Sequence, residues 1–231
     1  MSFPFRSVVD LSHPIAPGMP TWPKDPEVRR KAVARRDRDG YNLHELCLGE
    51  HTGTHLGAPS HMVDGPAVHQ IPPEDLIVPA VVFDAWGAAM TDPDRPIALA
   101  DVLAWEGRHG RLPARGAFLL WTGWSRHWPD KRAFLGLDGA GGMHFPGLAV
   151  EAARWLVHER QVRVLGTDAA GIDPGQDRKF AANRLLLAAG GMHLECLTNL
   201  DKLPPTGVTL FIGALKIAGG SGSPARVLAL F

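Results

Sequence analysis

The sequence predicts a mixed α/β domain in which a small, partly antiparallel β-core is flanked by a few helices. Three observations carry this reading. Short apolar and β-branched runs outnumber stretches with helical periodicity. With Gly 26 and Pro 20, turn residues punctuate most junctions, so adjacent strands are often joined by turns. No repeat or linker divides the chain, so residues 1–231 read as a single domain. A composition of 45% hydrophobic and 21% charged residues is ordinary globular usage and enough for a sizeable core.

Taken in order, residues 7–11 read as a short strand. The proline-dense stretch 13–23 is extended or turning, because proline fixes its own φ and restricts its predecessor. Residues 27–38 carry Arg29, Arg30, Lys31, Arg35, Arg36 and Arg38. They are read as a charged edge strand that discourages edge-to-edge pairing, in preference to an anion site. Asp39-Gly40 supplies a hairpin turn, and a return strand over 41–50 delivers a His-rich loop from its end. Residues 77–83 and 118–121 are apolar enough for buried strands. A helix is expected over 97–108, with Leu99, Val102, Leu103 and Trp105 on one face, and another over 150–160 with Ala153, Leu156 and Val157. The segment 125–147 is Gly-rich and irregular. A strand over 162–165, a helix over 181–189, a strand over 194–197 and closing strands over 208–217 and 227–230 complete the reading. The glycine run at 219–222 lacks the lysine and spacing of a phosphate-binding loop and is read as a turn.

Charge narrows the partners. Lys+Arg 24 balance Asp+Glu 24, so nothing favours nucleic acid or an anionic membrane surface. Cys47 and Cys196 are the only cysteines and form no CxxC, which fits reduced thiols in a cytoplasmic protein. No leader-like start and no apolar run of about 20 residues is present.

The chemistry concentrates in His51-Thr52-Gly53-Thr54-His55-Leu56-Gly57-Ala58-Pro59-Ser60-His61. Neutral imidazole is both a common metal ligand and a general base near neutral pH. On a continuous strand His51 and His55 would stand ~13 Å apart, too far to share an ion through bonds of about 2 Å. They converge only if the chain bends, and Gly53 is where bending is easiest. Pro59 ends any regular ladder, with His61 beyond it. The residues alone leave two readings open, a metal or catalytic cluster and a hydrogen-bonded polar loop.

This run resembles the signature of the cyclase family of metal-dependent hydrolases, which includes bacterial kynurenine formamidases and isatin hydrolases. The family pattern is His-x-Gly-Thr-His-x-Asp-x-Pro-x-His, and every fixed position matches except the aspartate, which is Gly57. Asp10-Leu11-Ser12-His13-Pro14, Thr122-Gly123-Trp124, Gly166-Thr167-Asp168 and Ile172-Asp173-Pro174-Gly175 resemble further family landmarks in family order, so the resemblance spans nearly the whole chain.

The resemblance implies a swivelling β/β/α fold. It assigns His51 and His55 to metal binding, His61 to proton transfer, and Glu195 to the late ligand glutamate. The late histidine that normally precedes an arginine is replaced by Asn183, before Arg184. Two divalent ions about 3.5–4 Å apart repel strongly, and glycine offers no carboxylate to offset that. Asparagine offers only a neutral oxygen, a weak ligand beside imidazole or carboxylate. The expectation is therefore one divalent metal (Zn or Mn) on His51, His55 and Glu195, or none. Restoring Gly57→Asp with Asn183→His is expected to admit a second ion.

The implied activity is hydrolysis of a small-molecule amide, formamide or lactam C–N bond, with Trp22, Tyr41 and Trp124 walling the pocket. Metal-free elimination, isomerisation or ring closure through the histidines, and ligand binding without catalysis, are the competing readings. Asp168 and Asp173 are read first as turn-capping groups and second as groups that orient His61. Family analogy implies a homodimer or homotetramer.

Overall fold

The structure, a computed structural model, describes residues 5–231; residues 1–4, part of the stretch read for a leader, lie outside it. Ten strands and six helices follow in order. They are β1 (Val8–Asp10), β2 (Arg29–Ala34), α1 (Arg36–Asp39), β3 (Leu43–Cys47), β4 (His55–Gly57), β5 (Ile77–Asp84), α2 (Trp86–Thr91) and α3 (Leu99–His109). Then come β6 (Ala117–Trp121), α4 (Lys131–Phe134), α5 (Val150–Glu159), β7 (Val164–Thr167), α6 (Ala181–Ala188), β8 (Met192–Glu195), β9 (Val208–Ala214) and β10 (Gly222–Leu230).

Eight strands form one sheet in the order β1-β10-β4-β8-β7-β6-β5-β9, and pairing of β9 with β10 closes it into a barrel. β5 to β8 run parallel, and the crossovers that parallel strands require are made by α3, α5 and α6. β10 is the closing element. Gly222–Pro224 pair with β4 and Leu228–Leu230 with β1 on one edge, while Ala225–Leu230 pair with β9 on the other. This barrel-like sheet flanked by helices is the architecture expected from the sequence.

Side-chain alternation along the strands makes two cores. Val78, Ala80, Val82, Leu119, Leu194, Ile212 and Val227 fill the barrel. Val81, Phe83, Phe118, Leu120 and Leu165 point outward against Val102, Trp105, Leu156 and Leu186 of the helices.

The structure departs from the sequence expectation in strand bounds, with β10 starting at Gly222 and β3 spanning only Leu43–Cys47, and at four further places. The hairpin does not reverse on Asp39-Gly40 alone: a helical turn intervenes, closed by Gly40 at φ 82. The Asp39 carboxylate accepts the Arg35 N–H at 2.8 Å, which stabilises that turn. Leu103 is 44% exposed, since Val102 and Trp105 already fill the buried stripe of α3. Helix α2 was not legible in a run of six small and mixed residues. Most consequentially, β8 spans Met192–Glu195 instead of 194–197.

Both cysteines are free, Cys47 exposed on β3 and Cys196 buried. Burial raises the Cys196 thiol pKa well above its ordinary value. Titration of denatured protein should find two thiols, and native protein should show one fast thiol, Cys47. Equal rates in the native state would contradict this placement.

Candidate metal centre and active site

The site is built on the face of β4 and β8 that points away from the barrel interior. Leu56, Met192 and Leu194 turn into the barrel. By alternation, His55 and Gly57 on β4, and His193 and Glu195 on β8, occupy the opposite face. The antiparallel register sets His55 opposite Glu195 and Gly57 opposite His193. The bend ahead of β4 occurs at Gly53, whose φ is 65, and it brings the His51 and His55 ring centroids to 5.0 Å. The positive φ is what favours glycine at 53; a Cβ there would meet only the mobile end of Met19, at 2.7 Å from Cε.

Gly57 is glycine for space and not for conformation, since its φ is not positive. A Cβ at position 57 would stand 1.9 Å from His193 Nε2. The imidazole of His193 thus fills the volume that a side chain at position 57 would take. One ligand atom each from His51, His55 and His193 lie within 4.8 Å of one another, close enough to converge on a single ion.

Hydrogen bonds fix each imidazole in the ligand tautomer. His55 Nδ1–H donates to the Gly53 carbonyl at 2.8 Å, leaving a lone pair on Nε2. His193 Nδ1–H donates to Asn183 Oδ1 at 2.8 Å, leaving one on Nε2. Ser221 Oγ gives its proton to Glu50 Oε2 at 2.7 Å and so accepts from His51 Nε2–H at 3.1 Å, leaving a lone pair on His51 Nδ1. His51 Nδ1 and His193 Nε2 are buried and have no hydrogen-bond partner among the described residues. A buried polar atom without a partner costs about 1–3 kcal/mol. Two such lone pairs aimed at one point fit a divalent cation, and outer acceptors that orient each ring are what metal-ligating histidines characteristically have.

Glu195 takes a different place from the one expected. Its Oε1 accepts from Ile172 N–H at 3.2 Å and Asn183 Nδ2–H at 3.1 Å. Its Oε2 lies 3.4 Å from His55 Nε2. Burial works against its ionisation, but His193, His55 and Asn183 outweigh that and hold its pKa below the ordinary range. It flanks the cluster as an anion, and the three ligand atoms that converge are those of His51, His55 and His193, so His193 joins the residues expected from the sequence.

Asn183 lines the cavity from α6 and bridges His193 and Glu195, and a side chain at 57 would meet the His193 ring where it stands. The pair of changes expected to admit a second ion would therefore have to displace His193 from beside position 57 and break the Asn183 bridge.

Burial favours the uncharged form of His51, His61 and His193. His51 is lowered to about 2 by burial and then by its neighbouring histidines. His193 is lowered to about 4 by burial. His61, in the 3-10 turn Pro59–His61, is lowered mainly by burial, and its ring lies over His51 with centroids 3.8 Å apart. All three are neutral at pH 7.

A cavity of about 390 Å³ opens above these histidines. Its apolar wall includes Trp22, Phe134, Phe145 and Phe180. Trp22 stands 6.3 Å from Phe145 and 6.1 Å from Phe180 between ring centroids. Phe180 holds a left-handed backbone (φ 54) at the start of α6, a conformation costly for a bulky residue.

Two expected wall residues lie elsewhere. Tyr41 is 58% exposed beside the β2–β3 hairpin. Trp124 is buried behind the wall, with Nε1–H donating to the Phe134 carbonyl at 2.7 Å. Asp168 and Asp173 both accept backbone N–H groups, and Asp173 also lines the cavity. Asp168 accepts Thr122 N–H and Oγ–H at 2.9 and 2.6 Å. Asp173 accepts the N–H groups of Ala182 and Asn183 at 2.6 and 3.1 Å, so it caps α6 and not its own turn. Burial raises both to about 6.

Histidines drawn from two neighbouring strands and a glycine bend, beneath a small aromatic cavity, define an enzyme site for a small molecule. The chain belongs to the cyclase family: residues 9–174 match the family model described as "Putative cyclase". It is similar to the isatin hydrolase of Roseibium aggregatum, 34% identical with 96% of this chain and 91% of that protein covered. The kynurenine formamidase of Salinibacter ruber is 30% identical, with 96% of each chain covered. The structure of isatin hydrolase A from Labrenzia aggregata bound to benzyl benzoate superposes with a TM-score of 0.92 at 36% identity, covering 97% of this chain and 93% of that one. These relatives are hydrolases of C–N bonds, and three histidines of this chain can hold a metal.

His193 was not singled out from the sequence. The signal was there: it precedes Glu195 by two residues, so any strand that presents one presents the other on the same face.

Proposed function

We propose that this chain hydrolyses the C–N bond of an amide, formamide or lactam in a small aromatic substrate, using one divalent metal, such as zinc, on His51, His55 and His193. The observation that carries the reading is the pair of buried, partnerless nitrogens, His51 Nδ1 and His193 Nε2, beside the correctly oriented His55. A divalent ion so held supplies Lewis acidity, polarising a carbonyl and lowering the pKa of water.

The chain's own groups do the rest. Trp22, Phe145 and Phe180 hold an aromatic ring and exclude bulk water. His61, neutral at pH 7 and at the cavity floor, takes a proton from water and returns it to the leaving nitrogen. Glu195 offsets positive charge from the flank.

Protein purified without chelator should open isatin or deformylate the formamide of kynurenine, and should stop when stripped of metal. Inertness toward both, with no metal retained, would overturn the reading.

The proposal includes a cytoplasmic, small-molecule enzyme that works as a homodimer or homotetramer. No helix of the described residues is long and apolar enough to cross a membrane. Support for self-association is the two-stranded sheet β2–β3, where Val33 (50%), Leu43 (47%) and Leu46 (57%) are exposed. An isolated two-stranded hairpin is marginal in water. Light scattering should give two or four chains per particle, and a monomer at micromolar concentration would remove this part.

A further inference from the structure

We propose that His193 stands in for the carboxylate missing at position 57, so that the site holds one ion through three neutral imidazoles and discriminates against Mn²⁺ and Mg²⁺ in favour of Zn²⁺ and Co²⁺. This rests on the metal reading above and adds to it the exchange between positions 57 and 193 and the class of ion the site selects.

The exchange is written in the register. Gly57 and His193 are cross-strand partners in β4 and β8, so side chains at these positions compete for one volume. With glycine at 57, the imidazole leans across the strand until its Nε2 lies 1.9 Å from where a Cβ would be. A carboxylate at 57 and the imidazole of His193 in its present position therefore compete for the same place.

The trade is supported from behind. Asn183 Oδ1 accepts His193 Nδ1–H at 2.8 Å, while Asn183 Nδ2 donates to Glu195 Oε1 at 3.1 Å. A histidine at 183 could not serve both partners in this way, since a neutral imidazole has its donor and acceptor on opposite ring edges. Gly57, Asn183 and His193 form one connected arrangement instead of two independent losses.

The chemistry of the donor set follows. No carboxylate oxygen belongs to the group of three ligand atoms. Imidazole suits zinc and the later first-row ions, whereas carboxylate, carbonyl and water suit Mg²⁺ and Mn²⁺. A second ion has no place, because the bridging position is filled by the His193 ring, and two ions without a shared anion repel.

The test reads binding and not turnover. Stripped wild-type protein should take up one Zn²⁺ per chain by elemental analysis and develop the visible absorption of four-coordinate Co²⁺. At the same concentration it should leave the free-ion electron paramagnetic resonance signal of Mn²⁺ undiminished. His193→Ala, which only empties space, should lose Zn²⁺ affinity by more than the about 10–100-fold that loss of an outer partner costs. Gly57→Asp alone should also lose it, through the clash. Gly57→Asp with His193→Ala should fold, regain Zn²⁺ and newly bind Mn²⁺.

Wild-type Zn²⁺ affinity in His193→Ala would overturn the proposal. So would two ions per wild-type chain, or Mn²⁺ held by wild type as tightly as by the double variant; in either case the metal reading itself would survive. A wild-type protein that binds neither Zn²⁺ nor Co²⁺ would remove the metal reading and this proposal together.

Discussion

His61→Ala should lower turnover by roughly 10²–10⁴-fold, the contribution typical of a positioned general acid–base group, while metal content stays at one per chain. The geometry explains why the two should separate. His61 follows Pro59 in a 3-10 turn, outside the β4 ladder, and its ring packs against His51 at an interplanar angle of 34°. It is not one of the three residues whose ligand atoms converge. Burial keeps it neutral at pH 7, so it can accept a proton, and its place at the cavity floor lets it hand that proton to a leaving nitrogen. The structural cost of removing the ring is loss of one tilted ring contact, about 1 kcal/mol, or about 2–4 °C in Tm for a chain of this size. Elemental analysis, thermal unfolding and kcat on the same sample decide the matter. Turnover equal to wild type removes His61 from the mechanism, and loss of metal with turnover would make it a ligand.

The parts of the fold legible in the sequence were those with strong local periodicity. The runs at 77–83 and 118–121 became β5 and β6, and the patterned helices became α3, α5 and α6, because their apolar faces are buried between sheet and solvent. The bend at Gly53 was legible for a sterically definite reason, since two histidines four residues apart cannot meet on a straight strand. What escaped depended on pairing between distant segments. His193 matters because it faces Gly57, a relation set by the β4–β8 register that no local window contains. Read by their place in a family pattern, Glu195 is a ligand and Asn183 a lost one, whereas the structure joins the two by a hydrogen bond. Tyr41 and Trp124 were chosen for chemistry suited to a pocket, but their exposure and burial follow from the hairpin and from the Phe134 carbonyl.

The same register makes the resting site expensive without its ion, and stripping the metal should therefore show in stability as well as activity. Three imidazoles sit within 4.8 Å of one another with lone pairs turned inward, and two of those nitrogens have no other partner among the described residues. Asn183, Gly53 and Ser221 hold the rings in place, so they cannot readily swing away to find water. An ion that binds only the folded chain stabilises it by about 4 kcal/mol at a free concentration 1,000 times its Kd. For a domain of 150–250 residues this corresponds to roughly 8–16 °C in Tm. Chelator-treated protein should melt lower by that order, recover on addition of Zn²⁺, and show no recovery in His193→Ala. The effect should saturate with one equivalent of tightly bound ion and then grow only as the logarithm of the excess. A Tm indifferent to both chelator and Zn²⁺, in protein that still turns over substrate, would mean that the three histidines work without a metal.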